Sequence, residues 1–207
     1  MNNNNNILMN NNRNLSLSNG RKISTNIENP IDNHIINLCD KMIKFCVKYE
    51  ITPNEITLTR LFLLYFIYNY LFKTNKKFMP IVLIMIFYFM DCLDGHLART
   101  TDSVTKVGDI LDHVTDFIFL VIMFYYVYSL NNKKLLVVYI IFLYLGLAHM
   151  GVQQLNYAHN NPNKEFEFID YFNNFHLFNK DDISLTRYFG CGTFVLFIIL
   201  IIYFYKK

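Results

Sequence analysis

Four aspartates between positions 91 and 116 have the spacing of a metal site. Asp91 and Asp94 are three residues apart, and Asp112 and Asp116 are four apart, so each pair shares one face if its segment is helical. Apolar segments flank both pairs, and the two helix ends would direct all four carboxylates at one point. Like charges this close repel one another strongly unless cations lie among them. Because carboxylate oxygens favour magnesium, manganese or calcium over zinc, the spacing predicts a site for such a metal.

Small residues stand beside these aspartates. Ala98 lies one helical turn after Asp94, and Gly108 lies one turn before Asp112, so neither blocks a close approach to its helix. If the aspartates belonged only to a solvated acidic loop between helices, the other residues of the pattern would be there by chance. The complete pattern resembles the signature of the CDP-alcohol phosphotransferases, with every signature position filled: Asp91-x-x-Asp94-Gly95-x-x-Ala98-Arg99, then Gly108-x-x-x-Asp112-x-x-x-Asp116.

The resemblance implies an enzyme that transfers a substituted phosphate group from a CDP-linked donor to the hydroxyl of an alcohol and releases CMP. Asp91, Asp94 and Asp112 match the metal ligands of the family. Asp116 matches both a further ligand and the general base that takes the proton of the acceptor hydroxyl. The implied cofactor is a pair of Mg²⁺ or Mn²⁺ ions, which would bridge the diphosphate oxygens and stabilise CMP as the leaving group. The signature also implies nucleotide-binding residues, with a phosphate pairing to the last of them: Gly95, Ala98, Gly108 and Arg99.

Three further residues are candidates for substrate contacts. Asn54 and Thr57 follow Pro53 in a segment that resembles the turn opening the first membrane span of the family, where they would face the nucleotide. An ordinary helix start with Thr52 as its cap explains the same segment. Arg187 opens the last apolar segment and is similar to basic residues of the family's acceptor pocket. Snorkelling of Arg187 to lipid headgroups explains it equally well.

The elements that position these residues are predicted to be membrane helices. Hydrophobic residues make up 53% of the 207 residues and charged residues only 17%, a composition typical of an integral membrane protein. The predicted fold class is all-α, a polytopic bundle of about five to six transmembrane helices. We predict spans at 56–72, 78–90 with the helix continuing to 99, 108–130, 135–154 and 183–205.

The remaining segments are predicted to lie outside the spans. Residues 1–29 are rich in Asn, Ser and Thr and read as a disordered tail, which leaves 30–207 as the membrane domain. From Pro30 to Glu50, apolar residues recur at steps of three and four, which predicts an amphipathic helix on the membrane surface. The polar, aromatic-rich stretch 155–182 is too charged to span and is either an interfacial helix or a loop over the active site. The family typically has six spans, and this count gives five.

Partners and location follow mainly from the resemblance. It implies the CDP-linked donor, an alcohol or diacylglycerol acceptor, membrane lipid, and an active site facing the cytoplasm. Lysines lie at both ends of several spans, so charge does not fix the orientation, and no residue names an organelle. The net charge of +3 is modest and spread out, which gives no support for nucleic-acid binding. Many members of the family dimerise, so a homodimer stays open, although no residue here indicates one.

Three alternatives stay open for the function. The compact length resembles enzymes that combine CDP-diacylglycerol with inositol, glycerol phosphate or serine, and we favour this branch. The pairs Asp112-His113 and Asn29-Pro30 resemble the branch that joins CDP-choline or CDP-ethanolamine to diacylglycerol. The alternative of another class is a non-catalytic metal-binding scaffold or a cation transporter, although a transporter more often holds its carboxylates between broken helices in mid-span.

Overall fold

The computed structural model describes residues 20–160 and 182–206. All the regular elements in these ranges are helical, which confirms the predicted fold class. The part of the polar stretch from 161 to 181 lies outside the described residues, as does the tail from 1 to 19. The α-helices in chain order are α1 Pro30–Lys48, α2 Pro53–Phe72, α3 Phe78–Thr100, α4 Lys106–Ser129, α5 Lys133–Asn160, α6 Ile183–Thr186 and α7 Cys191–Tyr205, with a 3-10 turn at Arg187–Phe189.

Local sequence explains where three of these helices begin. Asn29 caps α1 with its side chain, and Pro30 follows as the first helical residue. Thr52 and Glu55 form a capping box at the start of α2, and Thr105 caps α4. Since α3 runs antiparallel to α2 and α4, it ends where those two helices begin. The starts of α2 and α4 and the end of α3 therefore share one end of the bundle.

One apolar core holds the long helices together below that end. Phe87 of α3 stacks on Phe119 of α4 with ring centroids 4.7 Å apart. At the far end, the Lys206 ammonium donates to the carbonyl oxygens of Tyr70 and Leu71, which closes the last turn of α2. The core draws on α2, α3, α4, α5 and α7, with fully or almost fully buried members that include Leu64, Ile67, Ile84, Met123, Tyr139, Ile198 and Ile202.

Four helical stretches in the described residues are long and apolar enough to cross a membrane. They are Phe78–Thr100, Lys106–Ser129, Lys133–Asn156 and Ile183–Tyr205, which match the second to fifth predicted spans and confirm a polytopic membrane bundle. The predicted first span, α2, is not among them, because its four most polar positions in particular lower its mean hydropathy. These positions are Asn54, Glu55, Arg60 and Asn69. α2 nevertheless packs along both α3 and α4.

One face of helix α1 packs against the other helices, and the opposite face is exposed. Cys39, Ile43 and Cys46 are buried against the ends of α2 and α3. Leu38 and Phe45, on the outer side, remain 48% and 47% exposed, so the helix presents apolar side chains where a membrane surface would meet it. This two-faced burial matches the predicted amphipathic helix.

Residues 20–29 are packed, which differs from the disordered tail predicted for them. Ile23 is 4% exposed and contacts Val152 of α5 and Ile183 of α6. Asn29 is fully buried, and its side-chain amide donates to the carbonyl oxygen of Arg187 and to the hydroxyl of Thr193. These contacts join residues more than 125 positions apart in the chain, so the local composition of the segment does not indicate them.

Candidate active site

Three helix ends meet around the aspartates. Asp91 and Asp94 lie within three turns of the end of α3, and Asp112 and Asp116 lie within three turns of the start of α4. Because the short loop 101–105 joins these helices, their carboxylates face one another. The structure thus brings the four predicted aspartates together at one end of the membrane bundle.

The guanidinium of Arg60, on α2, lies among the four carboxylates. Its Nη2 is 2.6 Å from an oxygen of Asp91, and its Nη1 is 3.0 Å from an oxygen of Asp94. The same two nitrogens donate to Asp112 and Asp116. Arg60 is completely buried, and its positive charge is the closest compensation that the described residues give to the four negative charges.

Asp94 occupies the most enclosed of the four positions. It is 3% exposed, and the Thr57 hydroxyl donates to its Oδ2 at 2.7 Å. Its other oxygen accepts the backbone N–H of Gly95 at 2.6 Å. With Arg60 as a third donor, the carboxylate of Asp94 already has partners on both oxygens.

The other three aspartates form a group suited to a divalent cation. Asp91, Asp112 and Asp116 each offer an oxygen, and these oxygens lie within 4.8 Å of one another. Three hard oxygen donors at this separation suit Mg²⁺ or Mn²⁺. Asp94 is not a member of this group, and its role as the fourth predicted ligand stays a prediction.

A cavity of about 230 Å³ opens over the carboxylates. Arg187 does not line it: its guanidinium lies 5.3 Å from the ring of Tyr188 and donates to the carbonyl of Asn26. The cavity instead brings together ten of the residues singled out in the sequence, namely Asn54, Thr57, Asp91, Asp94, Gly95, Ala98, Arg99, Gly108, Asp112 and Asp116.

Two of the small or basic positions have contacts within the protein as well. A Cβ on Gly108 would lie 2.5 Å from the Asn54 side-chain oxygen, so a larger residue there would have to displace the Asn54 side chain. Arg99 donates from Nε to the carbonyl oxygen of Gly20 at 2.7 Å, which ties residues 20–29 to the end of α3. Both positions still face the cavity.

Two more buried carboxylates line the end of the cavity that is formed by residues 20–29 and α1. Glu28 is 3% exposed and accepts the amide of Gln153 at 3.1 Å and its neighbour's backbone N–H. Asp32, on α1, accepts the Tyr88 hydroxyl and the backbone N–H of Gly192 at 2.7 Å. Burial, with Asp32 as the next cause, raises the pKa of Glu28 from 4.5 to about 7, and burial raises the pKa of Asp32 from 3.8 to about 6.

Sequence reasoning missed Arg60, Glu28 and Asp32. A usable signal existed for Arg60, because it shares the buried face of α2 with Thr57 and Leu64, where an arginine needs a counter-charge. No comparable signal marks Glu28, which follows an Asn-rich segment and meets α5 only through the tertiary fold.

Comparisons with known proteins agree with the signature. A family model described as CDP-alcohol phosphatidyltransferase matches residues 50–207. An archaetidylinositol phosphate synthase from Pyrococcus horikoshii is 32% identical over 77 residues, which are 37% of this chain. The chain thus spans 40% of the length of that relative. No solved structure gave a significant match.

Proposed function

The chain belongs to the CDP-alcohol phosphatidyltransferase family, and we propose that it is an integral membrane enzyme that transfers a substituted phosphate group from a CDP-linked donor to an alcohol. The favoured donor is CDP-diacylglycerol, and CMP is the other product. The observation that carries the proposal is the convergence of Asp91, Asp112 and Asp116 beneath a cavity that the rest of the signature also lines.

Asp91, Asp112 and Asp116 are the residues that would hold divalent ions, with Asp94 supporting them from its enclosed position. Bound Mg²⁺ or Mn²⁺ would neutralise the diphosphate and stabilise the charge that develops on CMP. The four carboxylates make this end of the cavity hostile to an anionic diphosphate without such ions. The Asp residues therefore fit a donor that arrives together with cations.

Asp116 is our candidate for the general base. Its side chain is 36% exposed, the largest value among the four aspartates, so an acceptor hydroxyl can approach it. Asp116 would take the proton as the acceptor oxygen forms its bond to phosphorus and the bond from phosphorus to the CMP oxygen breaks. Holding both reactants in this geometry is the main contribution asked of the protein.

The two substrates are assigned to different ends of the cavity. Gly95, Ala98 and Gly108 would contact the nucleotide, and Arg99 would pair with a phosphate. Asn54 and Thr57 are candidates at the same end. The acceptor alcohol would lie towards the end that contains two buried carboxylates and an amide, from Glu28, Asp32 and Gln153.

A lipid product is supported by position and by the relative. The aspartates lie near the ends of two membrane-spanning helices, where the phosphate of a lipid donor would be found. The relative's name assigns it the synthesis of archaetidylinositol phosphate, a phospholipid. The proposal puts this end of the bundle on the cytoplasmic side.

The test is release of CMP by the purified full chain in detergent, with Mg²⁺ or Mn²⁺ present. CDP-diacylglycerol and CDP-choline are supplied separately, each with a panel of alcohols that includes inositol, inositol phosphate, glycerol phosphate, serine and diacylglycerol. We expect acceptor-dependent release with CDP-diacylglycerol, lost in Asp116→Asn. Release only with CDP-choline would move the protein to the other branch. Folded protein that binds Mn²⁺ but releases no CMP with any pair would instead favour a metal-binding scaffold.

A further inference from the structure

Arg60 is the one completely buried charged side chain in the described residues that contacts all four aspartates. Its guanidinium carbon lies 4.7 Å from the centroid of the Phe87 ring, so an aromatic face closes the site beneath it. Nη1 and Nη2 contact the four carboxylates, and Nε has no hydrogen-bond partner among the described residues. The side chain is therefore held by the carboxylates and the ring together.

The contacts of Arg60 overlap with those a metal needs. Asp91, Asp112 and Asp116 form the group suited to a divalent cation, and the same three carboxylates accept from or pair with Arg60. A guanidinium and a divalent cation repel each other, and this repulsion is strong in a buried site, where the effective dielectric is low. Both cations compete for a limited number of carboxylate oxygens.

We propose that Arg60 is a built-in counterion that competes with divalent ions for Asp91, Asp112 and Asp116 and so sets the metal affinity of the site. Arg60 keeps the four like charges convergent, and an incoming divalent ion takes over part of that compensation. Arg60 is thus a positioning residue that acts through the carboxylates. The inference rests on the proposed function only in requiring a metal at these carboxylates.

The test compares Mn²⁺ binding to the full chain in detergent for the wild type, Arg60→Gln and Arg60→Lys. Free Mn²⁺ is measured by electron paramagnetic resonance. We expect Arg60→Gln, which removes the charge, to bind Mn²⁺ at least about tenfold more tightly than the wild type. Arg60→Lys keeps the charge but loses the forked contacts, so its affinity should lie between the two. Arg187→Gln is the matched control, because Arg187 lies outside the cavity, and it should bind as the wild type does.

A second measurement keeps the inference testable if Arg60→Gln folds poorly. Without metal, the carboxylates of the variant are uncompensated, so its unfolding temperature in EDTA should be lower than that of the wild type. Adding Mn²⁺ should raise the unfolding temperature of the variant by more than it raises that of the wild type. The proposal would be overturned if Arg60→Gln bound Mn²⁺ no more tightly than the wild type does. It would also be overturned if Mn²⁺ raised the unfolding temperatures of the two proteins equally. Neither readout depends on CMP release, so failure of the catalytic proposal would be seen separately.

Discussion

The two ends of the cavity hold buried acids in different electrostatic surroundings. At the aspartate end, four carboxylates surround the guanidinium of Arg60. At the other end, Glu28 accepts from the amide of Gln153, and Asp32 accepts from the hydroxyl of Tyr88 and the backbone N–H of Gly192. Because burial raises the pKa of Glu28 and of Asp32, these two carboxyl groups bind protons more readily than exposed acids do. Our proposal assigns the charged donor to the first end and the neutral hydroxyls of an acceptor to the second.

The two ends also differ in whether their acidic residues lie inside the range that the family model matches. The aspartates and Arg60 lie inside the matched range 50–207, whereas Glu28 and Asp32 precede it. The signature aspartates therefore lie at one end, although Tyr88, Gln153 and Gly192 of the other end are also inside the matched range. The other end is built where residues 20–29 and α1 meet Tyr88, Gln153 and Gly192. Substitutions at the two ends should separate loss of chemistry from loss of acceptor recognition.

The largest effect is expected at the aspartate end. Asp91→Asn keeps the size of the side chain but removes one of the three charges that converge, so CMP release should fall by about a thousandfold or more. Asp102→Asn is the matched control, because Asp102 is exposed on the loop after α3 and has a φ of 52°, which asparagine tolerates. The assay is the initial rate of CMP release at saturating donor and acceptor. A loss of less than tenfold in Asp91→Asn would contradict the proposed role.

The acids at the second end predict how stability depends on pH. Because the pKa of Glu28 is raised in the folded protein, the folded state binds its proton more tightly than the unfolded chain does. The free energy of unfolding should therefore fall as pH rises from about 4.5 to about 7, and it should fall by about 3 kcal/mol from Glu28 alone. Asp32 adds a smaller fall of the same sign, completed near its pKa of about 6.

Glu28→Gln should reduce this pH dependence, whereas Glu50→Gln, at an exposed position, should keep it. Unfolding is followed with a thiol-reactive fluorescent dye, since Cys39 and Cys46 are buried in the folded protein. Identical pH profiles for the wild type and Glu28→Gln would show that Glu28 does not hold a proton in this range.

The sequence predicts one end of this cavity much better than the other. The aspartate pattern was readable because spacings of three and four place carboxylates on one helix face, whatever the tertiary fold. Arg60 was missed because α2 was treated as a uniformly apolar span. Glu28 and Asp32 were missed because their partners, Gln153 and Gly192, are separated from them by 125 and 160 positions in the chain. Contacts at such separations leave no local pattern.

The second end also depends on a close approach of α1 to α7. A Cβ on Gly192 would lie 2.3 Å from the Asp32 carboxylate and 2.7 Å from Ile31. Gly192→Ala should therefore lower the free energy of unfolding by about 2 kcal/mol through overpacking. Gly151→Ala is the matched control, because a Cβ there meets nothing within 4 Å. Dye-monitored thermal unfolding of both variants measures the difference in their unfolding temperatures. Equal unfolding temperatures would mean that α1 and α7 can move apart without a loss of stability.

The smallest effect is expected for acceptor recognition by Glu28. Glu28→Gln preserves a hydrogen-bond acceptor and the overall shape, but it replaces a carboxylate oxygen with an amide that donates. The KM for the acceptor should rise by about fivefold, because a hydrogen bond between uncharged groups contributes about 1 kcal/mol. The KM for the donor and kcat should change by less than about twofold, since Glu28 is assigned no role in the chemical step. Glu50→Gln should leave all three constants as in the wild type.

These constants also decide whether the two ends act separately. A rise in the donor KM without a change for the acceptor would place the nucleotide at the Glu28 end and reverse the assignment of the cavity. A fall in kcat comparable to that of Asp91→Asn would mean that Glu28 contributes to the chemistry, and the contrast between the ends would fail. A rise confined to the acceptor KM would show that residues preceding the family-matched range choose the alcohol, while the aspartates act on the phosphate.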